Sequence, residues 1–144
     1  MRFGWEADIE RPMDEIVAAL RDPQSPLEWQ PGLARIEPIS GHPGREGSVS
    51  EYVFDLDGNT FRLTETVVVD RLPEQRTTRY EGRGMRHKIT HELEAAGSGH
   101  TTLRAIHEGH LTGMARLMAL PLRNVLRQRW RLEFAALCGY LESA

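Results

Sequence analysis

The stretch that decides the fold is PLRNVLRQRWRLEFAALCGYLE, residues 121–142. Leu122, Leu126, Trp130, Phe134, Leu137 and Leu141 recur every three or four residues. That spacing lays one apolar stripe along roughly five helical turns. Pro121 should open the main segment or kink it, because a proline inside a helix removes a hydrogen bond and clashes with the preceding turn. A helix this long with so wide an apolar face needs a broad surface to lie on, and the rest of the chain has to supply it.

Working back from the helix, the sequence alternates with a period of two. Met85, His87, Ile89, His91 and Leu93 share one face of a segment, and 101–111 returns after Gly97-Ser98-Gly99. Before them come 76–81, closed by Gly82 and Gly84, and the long 60–70 segment. That long segment is joined to Tyr52, Phe54 and Leu56 by the hairpin signal Asp57-Gly58. A short strand over 34–40 is followed by a loop containing Gly41, Pro43, Gly44 and Gly47. At the N-terminus Phe3, Trp5, Ala7 and Ile9 alternate with polar residues as a first strand. Pro12 starts a helix whose stripe is Met13, Ile16, Val17 and Leu20, and Ser25-Pro26 starts a second, shorter one that stops at Pro31-Gly32. Consecutive hairpins mean an antiparallel meander. The expected fold is therefore α+β: a curved antiparallel sheet of six or seven strands wrapped around the C-terminal helix, with two short helices after the first strand, in one domain spanning 1–144.

Composition narrows the function classes. The chain has 144 residues, a net charge of −3 and 40% hydrophobic residues, as expected of a single globular domain. A net negative charge argues against nucleic acid as a main partner. The longest strongly apolar run, 117–122, is interrupted by a proline and falls far short of the about twenty residues a membrane span needs, so no integral membrane association is expected. The N-terminus shows no apolar signal segment, which makes the cytoplasm the expected location. The lone Cys138 can form no intrachain disulfide and reads as a structural thiol. Nothing in the pattern decides between a monomer and a homodimer.

Several stretches carry a resemblance. They are Glu10-Arg11-Pro12 entering the first helix, Glu28-Trp29-Gln30-Pro31-Gly32, Gly41-His42-Pro43-Gly44, Asp70-Arg71-Leu72-Pro73-Glu74, and the helix ending Gly139-Tyr140-Leu141-Glu142. With this element order, the whole chain resembles the START-like helix-grip superfamily, also called SRPBCC. That superfamily includes START lipid-transfer domains, birch-pollen allergen relatives and the polyketide cyclase/dehydrase-like bacterial proteins, whose small single-domain members are the nearest in form. The resemblance implies a cavity between sheet and helix holding a lipid, polyketide, hormone-like or aromatic molecule. No cofactor is expected. The superfamily shares no catalytic motif, so no catalytic residue carries over.

Candidate site residues follow from which side chains share the inner face. Phe61, Leu63, Glu65, Val67 and Val69 form one row, which puts Glu65 among apolar neighbours. A carboxylate there is costly unless paired or protonated. It is either a cavity acid that meets a polar ligand group, or a group on an outer face or paired with an arginine. Centring the last hairpin near Gly97 sets His87 opposite His107 and His91 opposite Leu103, close enough for the first pair to share a proton. One metal would have to gather histidines about 13 Å apart on one strand and a carboxylate roughly 10 Å away, so none is expected. The ligand-binding set is therefore Tyr52, Phe54, Phe61, Leu63, Glu65, Met85, His87, Ile89, His91, His107, Leu126, Trp130 and Phe134. Arg116, Arg123, Arg127 and Arg131 form a rough stripe on the last helix. A solvated face is its commoner meaning, a membrane-surface or anionic-ligand contact the other.

Three functions fit these observations, in descending order. The first is binding or carriage of a small hydrophobic molecule. The second is a cyclase-, dehydratase- or hydrolase-type enzyme using Glu65 with His87 and His107 as acid and base. The third is a protein-interaction domain with a collapsed cavity.

Overall fold

The computed structural model describes residues 1–143. The elements run β1 (Arg2–Ile9), α1 (Met13–Arg21), α2 (Pro26–Trp29), β2 (Leu33–Ser40), β3 (Val49–Leu56), β4 (Asn59–Arg71), β5 (Gln75–Gly82), β6 (Met85–Ala95), β7 (Thr101–Leu111), a 3₁₀ helix (Gly113–Met118) and α3 (Ala119–Ser143). Seven strands form one antiparallel sheet in the order β1-β7-β6-β5-β4-β3-β2. Strands β2 to β7 are a meander of consecutive neighbours. Only β1 is displaced, to the far edge beside β7, and α1 and α2 make the crossing back to β2.

Two apolar clusters hold the sheet and helices together. One joins Ile9, Ile16, Leu93, Leu103 and Ala105 to Phe134, Leu137 and Leu141, and so locks α1 and the second half of α3 onto β1, β6 and β7. The other is smaller: Tyr52, Phe54, Tyr80 and Ile89 across β3, β5 and β6. The stripe on α3 is buried from Trp130 onward, whereas Leu122 and Leu126 are only half-buried, so the first half of the helix packs less closely than the second. Pro121 lies in the first turn of α3, where its missing N–H breaks no helical bond.

The expected pairing of the last hairpin is wrong by two residues. Ile89, not His87, stands opposite His107; His87 faces Gly109 and His91 faces Ala105. The loop is longer than its glycines suggest. It runs from Ala96 to His100, closed by a 3.1 Å bond from the Ala96 N–H to the His100 carbonyl, and its centre is Ser98. The inner row of β4 is also shorter than strict alternation implies. A bulge lies between Val67 and Val69, so Val69 pairs with Thr77 and leaves the face that Val67 shares with Thr78.

Gly109 fits Trp130 to the sheet. A Cβ on Gly109 would lie 2.5 Å from Trp130 Cη2 and 3.2 Å from Cζ2, inside contact distance. The indole is 1% exposed and has nowhere to move. Gly109→Ala should therefore cost about 1–3 kcal/mol by overpacking. Gly4→Ala on the edge strand meets nothing closer than 3.8 Å and should stay within about 0.5 kcal/mol of the parent. Urea melts of the two variants side by side check this, and equal midpoints would remove the close approach.

Candidate functional site

The inner face between the two clusters is polar where an uninterrupted core would be apolar. Glu65, on β4, accepts a 2.6 Å hydrogen bond from the Tyr52 hydroxyl and a 3.3 Å bond from the Tyr80 hydroxyl. Burial pushes its carboxyl pKa up; the two phenols and the nearby Arg76 charge pull it part of the way back. Both tyrosines titrate well above their ordinary value because they are buried beside that carboxyl. Arg76 itself bonds Asp70 at 2.9 Å, and Asp70 also takes Arg21 at 3.0 Å. Glu65 therefore has phenols as its direct partners, with the arginine one step removed.

His87 and His107 do meet, along a diagonal across the β6–β7 pair. Nε2 of His87 and Nδ1 of His107 are 3.0 Å apart, so one ring donates and the other accepts. Burial pushes both imidazoles far down, His87 to about 3, and Arg129 adds to the effect on His87. Both are neutral at any ordinary pH. Trp130 lies over the pair, its ring centroid 4.2 Å from His87 at 12° and 5.7 Å from His107. His91 is pushed to about 4 by burial and by Arg76. Among the described residues no three His, Cys, Asp or Glu side chains converge closely enough to hold a metal ion.

Two narrow clefts open on this face. The first, about 50 Å³, is walled by α1–α2 residues including Ser25 and Trp29 and by Tyr52, Glu65, Arg76, Tyr80 and His91. The second, about 40 Å³, lies between Gln30, Phe54, Phe61, His87, Trp130 and Glu133. They share Tyr80 and Ile89 as a partition. A larger depression of about 680 Å³ lies on the open surface between α1 and the 43–46 loop. Its Arg21 and Asp70 are already paired with each other.

Of the residues expected from the sequence, Tyr52, Phe54, Glu65, His87, Ile89 and Trp130 are buried and wall the clefts. Leu63, Met85 and His91 wall them half-buried, and Phe61 sits at the rim, stacked on Phe54 at 4.9 Å. His107, Leu126 and Phe134 lie behind or beside the clefts rather than on their walls. Five further side chains belong to the site. Tyr80 and Arg76 come from β5, whose inner row has the same period of two but is too polar to stand out. Glu133 follows Trp130 by three residues and interrupts the apolar stripe. It is 7% exposed, and burial pushes its carboxyl up to about 7 against the pull of Arg129 and Gln30. Trp29 and Gln30 arrive from α2. The indole Nε1 of Trp29 and the amide Oε1 of Gln30 are buried without a hydrogen-bond partner.

A curved antiparallel sheet closed over a long helix, with a polar-lined cleft between them, is the helix-grip class of ligand-binding fold. Residues 4–141 match the family described as polyketide cyclase / dehydrase and lipid transport, and the chain belongs to that family. No curated protein matches the chain by sequence. Similar solved structures include the Zhui aromatase/cyclase from a Streptomyces species, at 15% identity and a TM-score of 0.79 over 99% of this chain and 93% of that one. Ara h 8.0201 is 20% identical with a TM-score of 0.77, covering 100% and 99%. Norcoclaurine synthase from Thalictrum flavum, in complex with dopamine and hydroxybenzaldehyde, is 17% identical with a TM-score of 0.68, covering 98% and 86%. At these identities the likeness is one of fold.

Proposed function

We propose that the two clefts together bind one small, flat, oxygen-bearing hydrophobic molecule of the aromatic or polyketide class. The observation that carries this is the pair of unpartnered polar atoms, Trp29 Nε1 and Gln30 Oε1, buried on two residues that wall one cleft each. A buried donor or acceptor left without a partner costs about 1–3 kcal/mol. A ligand with an acceptor for the indole N–H and a donor for the amide oxygen would recover that. The walls favour rings over acyl chains, because Tyr52, Tyr80, His87 and Trp130 offer aromatic faces and Glu65 offers a hydrogen-bonding anchor. The family description and the phenolic ligands of the norcoclaurine synthase structure support the same class.

The clefts as they stand hold about one or two waters each. Ligand pockets run to about 300 Å³ or more. Binding one molecule across both clefts therefore has to move Tyr80 and Ile89, which part them, and movement of Arg129, at the less tightly packed end of α3, would widen the second.

The test is a titration of a flavonoid probe followed by tryptophan quenching, with native mass spectrometry of the purified protein to find a retained molecule. A micromolar Kd is expected, about −8 kcal/mol. Trp29→Phe removes an unsatisfied donor, so it should leave the melting temperature level or raised while weakening the probe about tenfold. Glu65→Ala should weaken it similarly. Unchanged affinity with lowered stability in Glu65→Ala, His87→Ala and His107→Ala would make the polar row structural and end this reading.

A second reading is favoured by Glu133. A carboxyl held up to about 7 in a cleft beside neutral His87 is poised to pass a proton in either direction near neutral pH. In that case the bound molecule is turned over by acid–base chemistry, and Glu133→Gln would retain binding and lose turnover.

A further inference from the structure

We propose that the 3₁₀ helix and the first half of α3, where exposed Met114, Leu117 and Leu120 stand among four exposed arginines, dock the protein on an anionic lipid surface. This inference is independent of what the clefts bind.

The apolar side of the argument is exposure. Six of the ten large apolar side chains exposed among the described residues fall between Met114 and Leu132. Met114 is 81% exposed, Leu117 76% and Leu120 86%, which is close to full immersion in water. Val125 and Leu132, seven residues apart, form a separate exposed pair on the side of α3 turned away from Trp130 and Phe134. Met114, Leu117 and Leu120, all nearly fully exposed within seven residues, mark a contact with something other than water.

The electrostatic side is equally local. Between Glu108 and Glu133 there are five arginines, at 116, 123, 127, 129 and 131, and no acidic residue. The segment carries +5 in a chain of net −3; Arg116, Arg123, Arg127 and Arg131 are exposed, while Arg129 turns inward to wall the second cleft. The guanidinium carbons of Arg123 and Arg127 lie 4.7 and 5.8 Å from the Phe3 ring, which holds these two charges on the Phe3 side of the helix, the side that Leu120 also takes. The only carboxylate within ion-pair reach of the segment, among the described residues, is Glu133, 4.0 Å from Arg129. The β5–β6 turn adds Arg83: the 3₁₀ helix adjoins this turn through the Thr112 N–H bond to the Gly84 carbonyl at 2.9 Å.

Apolar tips flanked by arginines match an anionic bilayer, in which the tips enter the acyl boundary and the guanidinium groups stay with the phosphates. A second copy of the chain fits less well. A two-fold contact sets the patch against itself, arginine facing arginine. No helix among the described residues is long and apolar enough to cross a membrane, so the contact is peripheral.

Flotation of the full chain with vesicles tests this. Phosphatidylcholine vesicles containing phosphatidylglycerol should carry the protein, and vesicles of phosphatidylcholine alone should carry little. Raising the salt should release it. Reversing Arg123→Glu and Arg127→Glu together should lower partitioning by more than tenfold, from about fivefold for each charge. Leu117→Ser with Leu120→Ser should lower it at least tenfold while leaving the melting temperature unchanged, since both side chains are already in water. Ile39→Ser, exposed on β2, should change nothing. No flotation with anionic vesicles overturns the proposal, and so does flotation indifferent to both double variants. A dimer seen by light scattering without lipid, and dispersed by the two serine substitutions, would assign the patch to a second copy instead.

Discussion

Acidification should destabilise the protein gently from about pH 6.5 to 4.5 and steeply below. His87, His91 and His107 all have folded-state pKa values pushed far below the ordinary 6.5. Below pH 6.5 the unfolded chain gains protons that the folded chain refuses, so each histidine removes stability as the pH falls, about 1.4 kcal/mol per unit. Glu133 and Glu65 work in the opposite direction. Their raised values mean the folded chain holds a proton that the unfolded chain releases until about 4.5, so acidification through that window favours the fold. Glu133 offsets one of the three histidine protons and Glu65 part of another, leaving a net loss of about 1.4–3 kcal/mol per unit. Below 4.5 the offset is complete and the histidines act unopposed until His91 itself charges near 4. Asp70, which burial would raise but Arg21 and Arg76 hold low, then adds its own loss. The loss accumulated from pH 6.5 to 4 is about 5–8 kcal/mol, so a domain in the lower part of the ordinary 5–15 kcal/mol range should reach its acid midpoint near pH 4. Urea melts from pH 7 to 4 measure the slope directly. Glu133→Gln should steepen the limb between 7 and 4.5 by about one proton, and His91→Gln should flatten it. A stability that is level or rising from pH 6.5 to 4.5 would reject the buried neutral histidines.

What was legible in the sequence, and what was not, divides along one physical line. Period-two alternation and the turn glycines expose each strand and its inner face, because a side chain's face is set by its own segment. Tyr52, Phe54, Glu65 and His87 could be placed inward on that basis alone. Register is a relation between two segments and depends on how far a loop extends. The His87–His107 contact was expected as a directly opposed pair and is formed as a diagonal one, because the loop ends at His100. A bulge is invisible for the same reason: Val67-Val68-Val69 reads as uninterrupted strand, and only the partner strand shows that one residue is extra. The donors to Glu65 do not show in its own segment, because Tyr52 and Tyr80 reach it from two different strands. Trp29 and Gln30 stand at the end of a helix of four residues, which carries too little periodicity to say which way they point. The helix stripe misled in the other direction. Its spacing continues unbroken through Leu122 and Leu126, but the sheet supports it only from Trp130 onward, and what the first half of α3 touches is decided outside its own sequence.

Trp130→Ala should have the largest effect of any single substitution, a loss of about 3–5 kcal/mol. The indole is fully enclosed. It stacks on His87, rests on the Gly109 backbone and packs against Phe3 at 5.9 Å between centroids. Removing it leaves a void that the surroundings can fill only partly, because His87 and His107 hold each other in place and Gly109 has no side chain to move inward. The melting temperature should fall by about 6–20 °C for a chain of this size. Trp130→Phe keeps most of the stacking and should lose about half as much or less. The same substitution has a second, opposite consequence. Trp130 walls the cleft beneath Gln30 and Glu133, so its removal joins that cleft to a void comparable with the roughly 150 Å³ engineered cavities that accept benzene. Indole added to Trp130→Ala should therefore restore part of the lost stability in proportion to its occupancy and should leave the parent protein unaffected. Thermal melts with and without indole separate the two consequences. A loss below about 1 kcal/mol would mean that α3 is not anchored at this point. A full loss without rescue would mean that the sheet closes over the gap, so that space for a ligand has to come from movement of Tyr80, Ile89 and Arg129 rather than from the place the indole occupies.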